Sequence, residues 1–158
     1  MNEWGWQEEL RWLLQFGCGA DEHAGRPLLW VPDVQGKKDA TETRTSQVWL
    51  REDGIVQVRV KRGVEIERED ADEILDVLRT LSGGRRPMLL DYRWSHSLTL
   101  EARIRLFELP VITALAMLAW THIARISCEF LLSTSNPPYP ARVFTSEEEA
   151  ILWMKQYV

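Results

Sequence analysis

The sequence predicts an α/β fold: a mixed, mostly parallel sheet of about five strands in the order β-β-α-β-α-β-α-β-α, with an extra N-terminal helix. Three observations carry this. From residue 47 onward strand patterns alternate with helix patterns, the signature of βαβ units. A Glu52-Asp53-Gly54 turn joins the first two strands as a hairpin, which puts one antiparallel strand at an edge. Two later segments, PMLLDY and ITALAMLAW, are continuous apolar runs of the kind that fill the buried middle of a parallel sheet. The chain has 158 residues, 45% hydrophobic and 27% charged, which suits one globular domain and not a disordered chain.

The elements follow in order. Trp6, Leu10, Leu13 and Leu14 recur at helical spacing and predict a short amphipathic helix, stopped by Gly17 and Gly19. Leu28 to Val31 reads as a short extended piece. GKKDATETRTS has no apolar period and reads as a linker. Residues 1–46 therefore form an N-terminal segment and residues 47–158 the domain. That segment holds four of the eight tryptophans.

Within the domain, Val48, Trp49 and Leu50 form the first strand. In IVQVRVK the valines alternate with Gln57, Arg59 and Lys61, as in a half-buried strand. Ala71, Ile74, Leu75, Leu78 and Leu81 then mark a helix that Gly83 and Gly84 end. Its first turns hold Glu69, Asp70, Asp72 and Glu73, where the helix dipole favours acids. After PMLLDY, Thr99 is the expected N-cap of a helix that buries Ala102 and Leu106, and Pro110 limits it. After ITALAMLAW, Thr121 caps a helix through Ile123, Ile126, Phe130 and Leu131. NPPYP is a stiff loop, and ARVF is the last strand. Thr145 with Glu148, or Ser146 with Glu149, opens the final helix.

Lys and Arg total 19 against 24 Asp and Glu, a net charge of -5. That balance argues against nucleic-acid binding by a basic face. Two cysteines, Cys18 and Cys128, are too few for a disulfide framework or a Cys-rich zinc site. No apolar run is long enough for a transmembrane segment. The acidic opening MNEWGWQEEL does not read as a signal peptide. A reducing, cytoplasmic location is therefore expected.

The stretch LREDGIVQVRVKRGVEIEREDADEILDVL, the DYR at the third strand's end, LTLEAR and NPPYPARVFTSEEEAILWM together resemble the SpoIIAA-like, STAS-type fold. Within it they are similar to small uncharacterised bacterial STAS/SEC14 proteins. The resemblance covers about residues 48–157. Anti-sigma-factor antagonists of this fold carry an Asp-Ser pair where the loop after this strand meets the next helix, and a kinase phosphorylates the serine. Here that pair falls near Thr99-Leu100, so a leucine stands where the phosphorylated serine would, with Ser97 and Thr99 as nearby hydroxyls. The resemblance implies a bacterial regulatory or adaptor protein, or else a binder of lipid or another apolar small molecule.

The remaining motifs point away from catalysis. His23, His96 and His122 have no ligand-spaced neighbours, so no metal and no other cofactor is expected. His96 with Ser95 or Ser97 and Asp91 lacks an oxyanion hole. No G-x-S-x-G, P-loop or G-x-G-x-x-G motif occurs. Gly83-Gly84-Arg85-Arg86 follows a helix instead of opening one, so it reads as a C-cap. The expected working surface runs from Trp94 to about Glu108. Trp94 is its anchor, with His96, Ser97 and Thr99 beside it and Arg103 and Arg105 to orient a protein partner. Trp6, Leu10, Leu13 and Leu14 offer a second, N-terminal interface for self-association. The lipid alternative needs a cavity lined by Leu115, Met117, Trp120 and Phe130, with the N-terminal helix as lid.

Overall fold

The computed structural model describes residues 39–93, 97–107 and 111–158. The predicted N-terminal helix and its Trp6, Leu10, Leu13 and Leu14 lie outside these residues, as do Trp94, His96, Glu108 and Pro110. A six-stranded sheet runs in the order β1-β2-β3-β5-β7-β8. Its strands are β1 (Thr41–Glu42), β2 (Ser46–Leu50), β3 (Val56–Val60), β5 (Arg86–Asp91), β7 (Ile112–Leu118) and β8 (Ala141–Phe144). The first three are antiparallel and the last four parallel, so β3 belongs to both sets. The α/β fold and mixed sheet are as the sequence predicts, with one strand more.

The extra strand is β1, inside the stretch read as a linker. Thr43, Thr45 and Ser46, which follow it, are buried. Hydroxyls bonding the local backbone make this possible: Thr43 Oγ1 donates to the Ser46 carbonyl (3.0 Å) and accepts from the Ser46 N–H (2.9 Å). Polar groups satisfied this way can be buried without any apolar period. A second short pairing also escaped the sequence. The strand β4 (Glu65–Ile66) lies parallel to β6 (Ser97–Leu98), two residues each and 32 apart in the chain.

Three helices cover one sheet face: α1 (Arg68–Ser82), α2 (Leu100–Phe107) and α3 (His122–Ser135). Val48, Val56, Val58, Met88, Leu90, Leu115 and Met117 face them and form the main core with Ile74, Leu75, Leu78, Leu106, Phe107 and Cys128. Each large apolar side chain buried there is worth about 1.5–3 kcal/mol. The alternate residues point the other way. Ile55, Leu89, Ala116, Leu118 and Phe144 pack under α4 (Glu147–Met154), where Ala116 and Ala150 are both fully buried.

The helix ends follow the sequence. Gly83 ends α1 in the left-handed region at φ 57°. The Ala102 N–H donates to Thr99 Oγ1 at 3.2 Å, and the Ala124 N–H donates to Thr121 Oγ1 at 3.0 Å. Of the two candidate caps for α4, Ser146 is the one used, bonded by the Glu149 N–H at 3.3 Å. Tyr139 of the stiff loop is buried, and its hydroxyl donates to the Phe107 carbonyl at 3.2 Å. That satisfies one of the orphan carbonyls at the end of α2, and burial pushes the phenol above its ordinary pKa.

Candidate interaction surface

Both α2 and α3 start at the carboxyl end of the parallel strands and lie side by side on the same face. In α2, Ala102, Leu106 and Phe107 turn inward. Leu100, Arg103 and Ile104, at i, i+3 and i+4, share the outer side. In α3 the inward positions are Ala124, Cys128 and Leu132. Ile123, Ile126 and Phe130, read from the sequence as that helix's apolar stripe, turn outward. Two small inner residues let α3 sit close to the sheet, which leaves the larger side chains on the outside. Leu100, Ile104, Trp120, Ile123, Ile126 and Phe130 are all between 44 and 58% exposed. Single exposed apolar residues are ordinary on a protein surface. Six large ones on the outer sides of two neighbouring helices and the turn before α3 make a candidate patch.

The base of this end is a network of ions. Asp91 closes β5, is completely buried, and accepts bonds from Arg93 (2.6 and 2.7 Å) and Arg59 (3.2 Å). Arg93 also reaches Glu147 of α4 at 3.4 Å, and the Asp91 carboxylate, through that hydrogen bond, raises its pKa further. Gln57 accepts from Arg51 (3.0 Å) and donates to Glu147 (3.3 Å), and Arg51 pairs with Asp53. Three arginines therefore meet three carboxylates, and no buried side-chain polar atom among the described residues lacks a partner. Open α/β sheets commonly bind ligands at this end of the strands. Here paired side chains fill the position, and they fix the root of the loop after β5. The Arg93 guanidinium also stacks on the Trp120 ring, 4.8 Å from its centroid, joining the ends of β5 and β7.

The other expected residues fall as follows. Ser97 donates to Glu65 Oε1 at 2.8 Å, across the β4–β6 pair. Thr99 caps α2. Arg105 reaches back to Asp72 of α1 and ties the two helices together. Arg103 makes no ion pair among the described residues and stands beside Leu100 and Ile104. Leu100 opens α2. The four residues of the lipid alternative are divided: Leu115 and Met117 are sealed in the core, while Trp120 and Phe130 are half exposed. Among the described residues no group of three or more His, Cys, Asp or Glu is placed to hold a metal ion. No helix among them is long and apolar enough to cross a membrane.

The apolar outer side of α3 was visible in the sequence as a helical repeat, but its direction was not. The link from Asp91 through Arg93 to Glu147 joins residues 56 apart and had no local signal.

A family model described as "Domain of unknown function (DUF7793)" matches residues 48–158. The chain belongs to this family. Its fold is similar to that of an uncharacterised DUF3478-family protein with a SpoIIAA-like fold from Shewanella loihica PV-4. The TM-score is 0.52 at 13% identity, covering 72% of this chain and 98% of that one. This supports the SpoIIAA-like fold that the sequence resembles. A protein of unknown function from Arthrobacter sp. FB24 is 27% identical over 72% of this chain and 95% of its own, with a TM-score of 0.28. No curated protein matches the chain.

Proposed function

We propose that this DUF7793 protein is a non-catalytic regulatory or adaptor module that docks a protein partner on the outer faces of α2 and α3. The observation that carries this reading is the patch formed by Leu100, Ile104, Trp120, Ile123, Ile126 and Phe130. Covering a surface of this kind is a main driving force of protein association. The partner it suits presents apolar side chains with a carboxylate at their edge, to meet Arg103. The ion network under the patch supports the same role, since a rigid base lets the patch bind without prior ordering. Trp94 and His96 precede α2 in the sequence and lie outside the described residues.

Native mass spectrometry of the full chain purified from its own cells tests this. The wild type is expected to retain a second polypeptide at a fixed ratio. Ile126→Glu is expected to lose it, and Leu152→Glu, on the opposite side of the sheet, to keep it. Equal recovery from both variants would refute the docking surface. A retained mass of lipid size instead would favour the small-molecule alternative.

A further inference from the structure

The two flanks of α2 differ. Arg105 turns to α1 and pairs with Asp72. Arg103 stands two residues earlier, about 200° around the helix, so it lies on the flank away from α1 and toward α3. It is half-buried and makes no ion pair among the described residues. The flanks of α3 differ as well. Right-handed crossovers place α2 on its Ser127 and Leu131 side, and both of these are half-buried. His122, Arg125 and Glu129 are exposed on the other flank, at the edge strand β8, where Arg125 bonds Glu129 at 2.8 Å. Helix α2 packs closely on α1 and only loosely on α3. A groove therefore runs between α2 and α3. Leu100, Arg103 and Ile104 form one wall, and Ile123, Ser127 and Phe130 form the other.

We propose that the occupant of this groove is α3 of a second copy of the chain, seated reciprocally, with Arg103 of each copy paired to Glu129 of the other. This rests on the docking role proposed above, which asks for apolar side chains with a carboxylate at their edge. Helix α3 is itself such a surface. Ile123, Ile126 and Phe130 recur at i, i+3 and i+7, and Glu129 borders them. A twofold axis along the helices turns the Glu129 flank of one copy toward α2 of the other. Ile126 then meets Leu100 and Ile104 of the second copy, while Ile123 and Phe130 approach their own counterparts. Glu129 keeps Arg125 and accepts a further bond from the second copy's Arg103. The small side chain of Ser127 lets the incoming helix sit low in the groove.

The surface is self-complementary in both apolar pattern and charge, which a twofold interface requires, and symmetry makes each contact twice. Each copy holds a complete core of its own. Dilution therefore separates the copies without unfolding them.

Sedimentation velocity and native mass spectrometry of the full chain at about 1–100 µM, the range of modest interfaces, test this. The wild type is expected to pass from monomer to dimer as concentration rises. Arg103→Glu and Glu129→Arg should each weaken the dimer at least about tenfold, because each sets like charges face to face. An equal mixture of the two variants should restore a dimer with one chain of each, since both facing pairs are then opposite in sign. Leu152→Glu should leave the dimer intact. If a reversed variant fails to fold, hydrogen exchange of the wild type gives the reading: higher concentration should slow exchange in residues 100–107 and 122–131 and leave 147–154 unchanged. A chain monomeric throughout, a dimer indifferent to both reversals, a mixture that stays monomeric, or exchange independent of concentration would overturn the second copy. A monomer that retains a foreign polypeptide, lost in Ile126→Glu, overturns the second copy and leaves the docking surface standing. A monomer that retains nothing overturns both.

Discussion

Helices α1 and α3 have nearly the same length and lie on the same sheet face, yet they arrange their apolar residues in opposite ways. In α1 the large side chains, Ile74, Leu75 and Leu78, are all buried, and the outer side is charged. In α3 the buried side is small, Ala124 and Cys128 with Leu132, while Ile123, Ile126 and Phe130 face outward. A helix with one apolar stripe has one destination. A helix apolar on two sides has a second surface to cover. Periodicity finds a stripe without saying which way it points, and here the small residues decided it.

The largest expected contrast is in the core. Leu75→Ala should cost about 2–5 kcal/mol, the loss of a buried leucine plus the cavity it leaves, measured by urea unfolding. A cost below 1 kcal/mol would mean that α1 is not the better-buried helix.

The two helix starts differ next. Asp70 is buried, accepts the Glu67 N–H at 2.8 Å and is gripped by Arg44. Burial pushes its carboxyl upward, but the bonds from Arg44 and the backbone outweigh this and hold it below the ordinary carboxylate value. Asp70→Asn should therefore cost about 1–2 kcal/mol at neutral pH, the exposed side of Arg44 limiting the figure. A depressed carboxylate stabilises the fold fully above its unfolded pKa of about 3.9, and the benefit disappears as pH falls through the lower folded value. The gap between wild type and variant should close on acidification. A gap independent of pH would assign it to shape instead of charge.

Thr121→Ala, at the start of α3, should cost about 1 kcal/mol. Its hydroxyl does not titrate, so the cost should stay constant over the same pH range. Equilibrium unfolding at two pH values checks both caps together. Smallest of all, Ile126→Ser should change stability by less than about 0.5 kcal/mol, as substitutions at open surface sites do. A loss near that of Leu75→Ala would show that something already covers the outer side of α3.

Much of the fold was readable because its signals are local. The alternating valines of β3, Gly83, Thr99 and Thr121 each act within a few residues of themselves. What escaped depends on distant partners or on polar burial. The Thr43 hydroxyl in the β1–β2 turn satisfies the Ser46 backbone, so no apolar pattern marks it. Glu65–Ile66 needs Ser97–Leu98 to become a strand. At the candidate surface, Arg105 was readable as a cation on a helix, but its bond to Asp72 exists only once α1 and α2 are packed. Arg103 and Leu100 were legible as positions, and their outward direction came only with the fold.

The contact between Arg93 and Trp120 has an optical and magnetic consequence. Trp120 is half exposed at the proposed docking patch, with a guanidinium on one ring face, whereas Trp49 is buried. The chain has eight tryptophans, and fluorinated tryptophan gives one fluorine resonance for each. The Trp120 signal, assigned by Trp120→Phe, is therefore a label already in place on the surface. It would respond to occupancy of the patch without any dye or engineered cysteine.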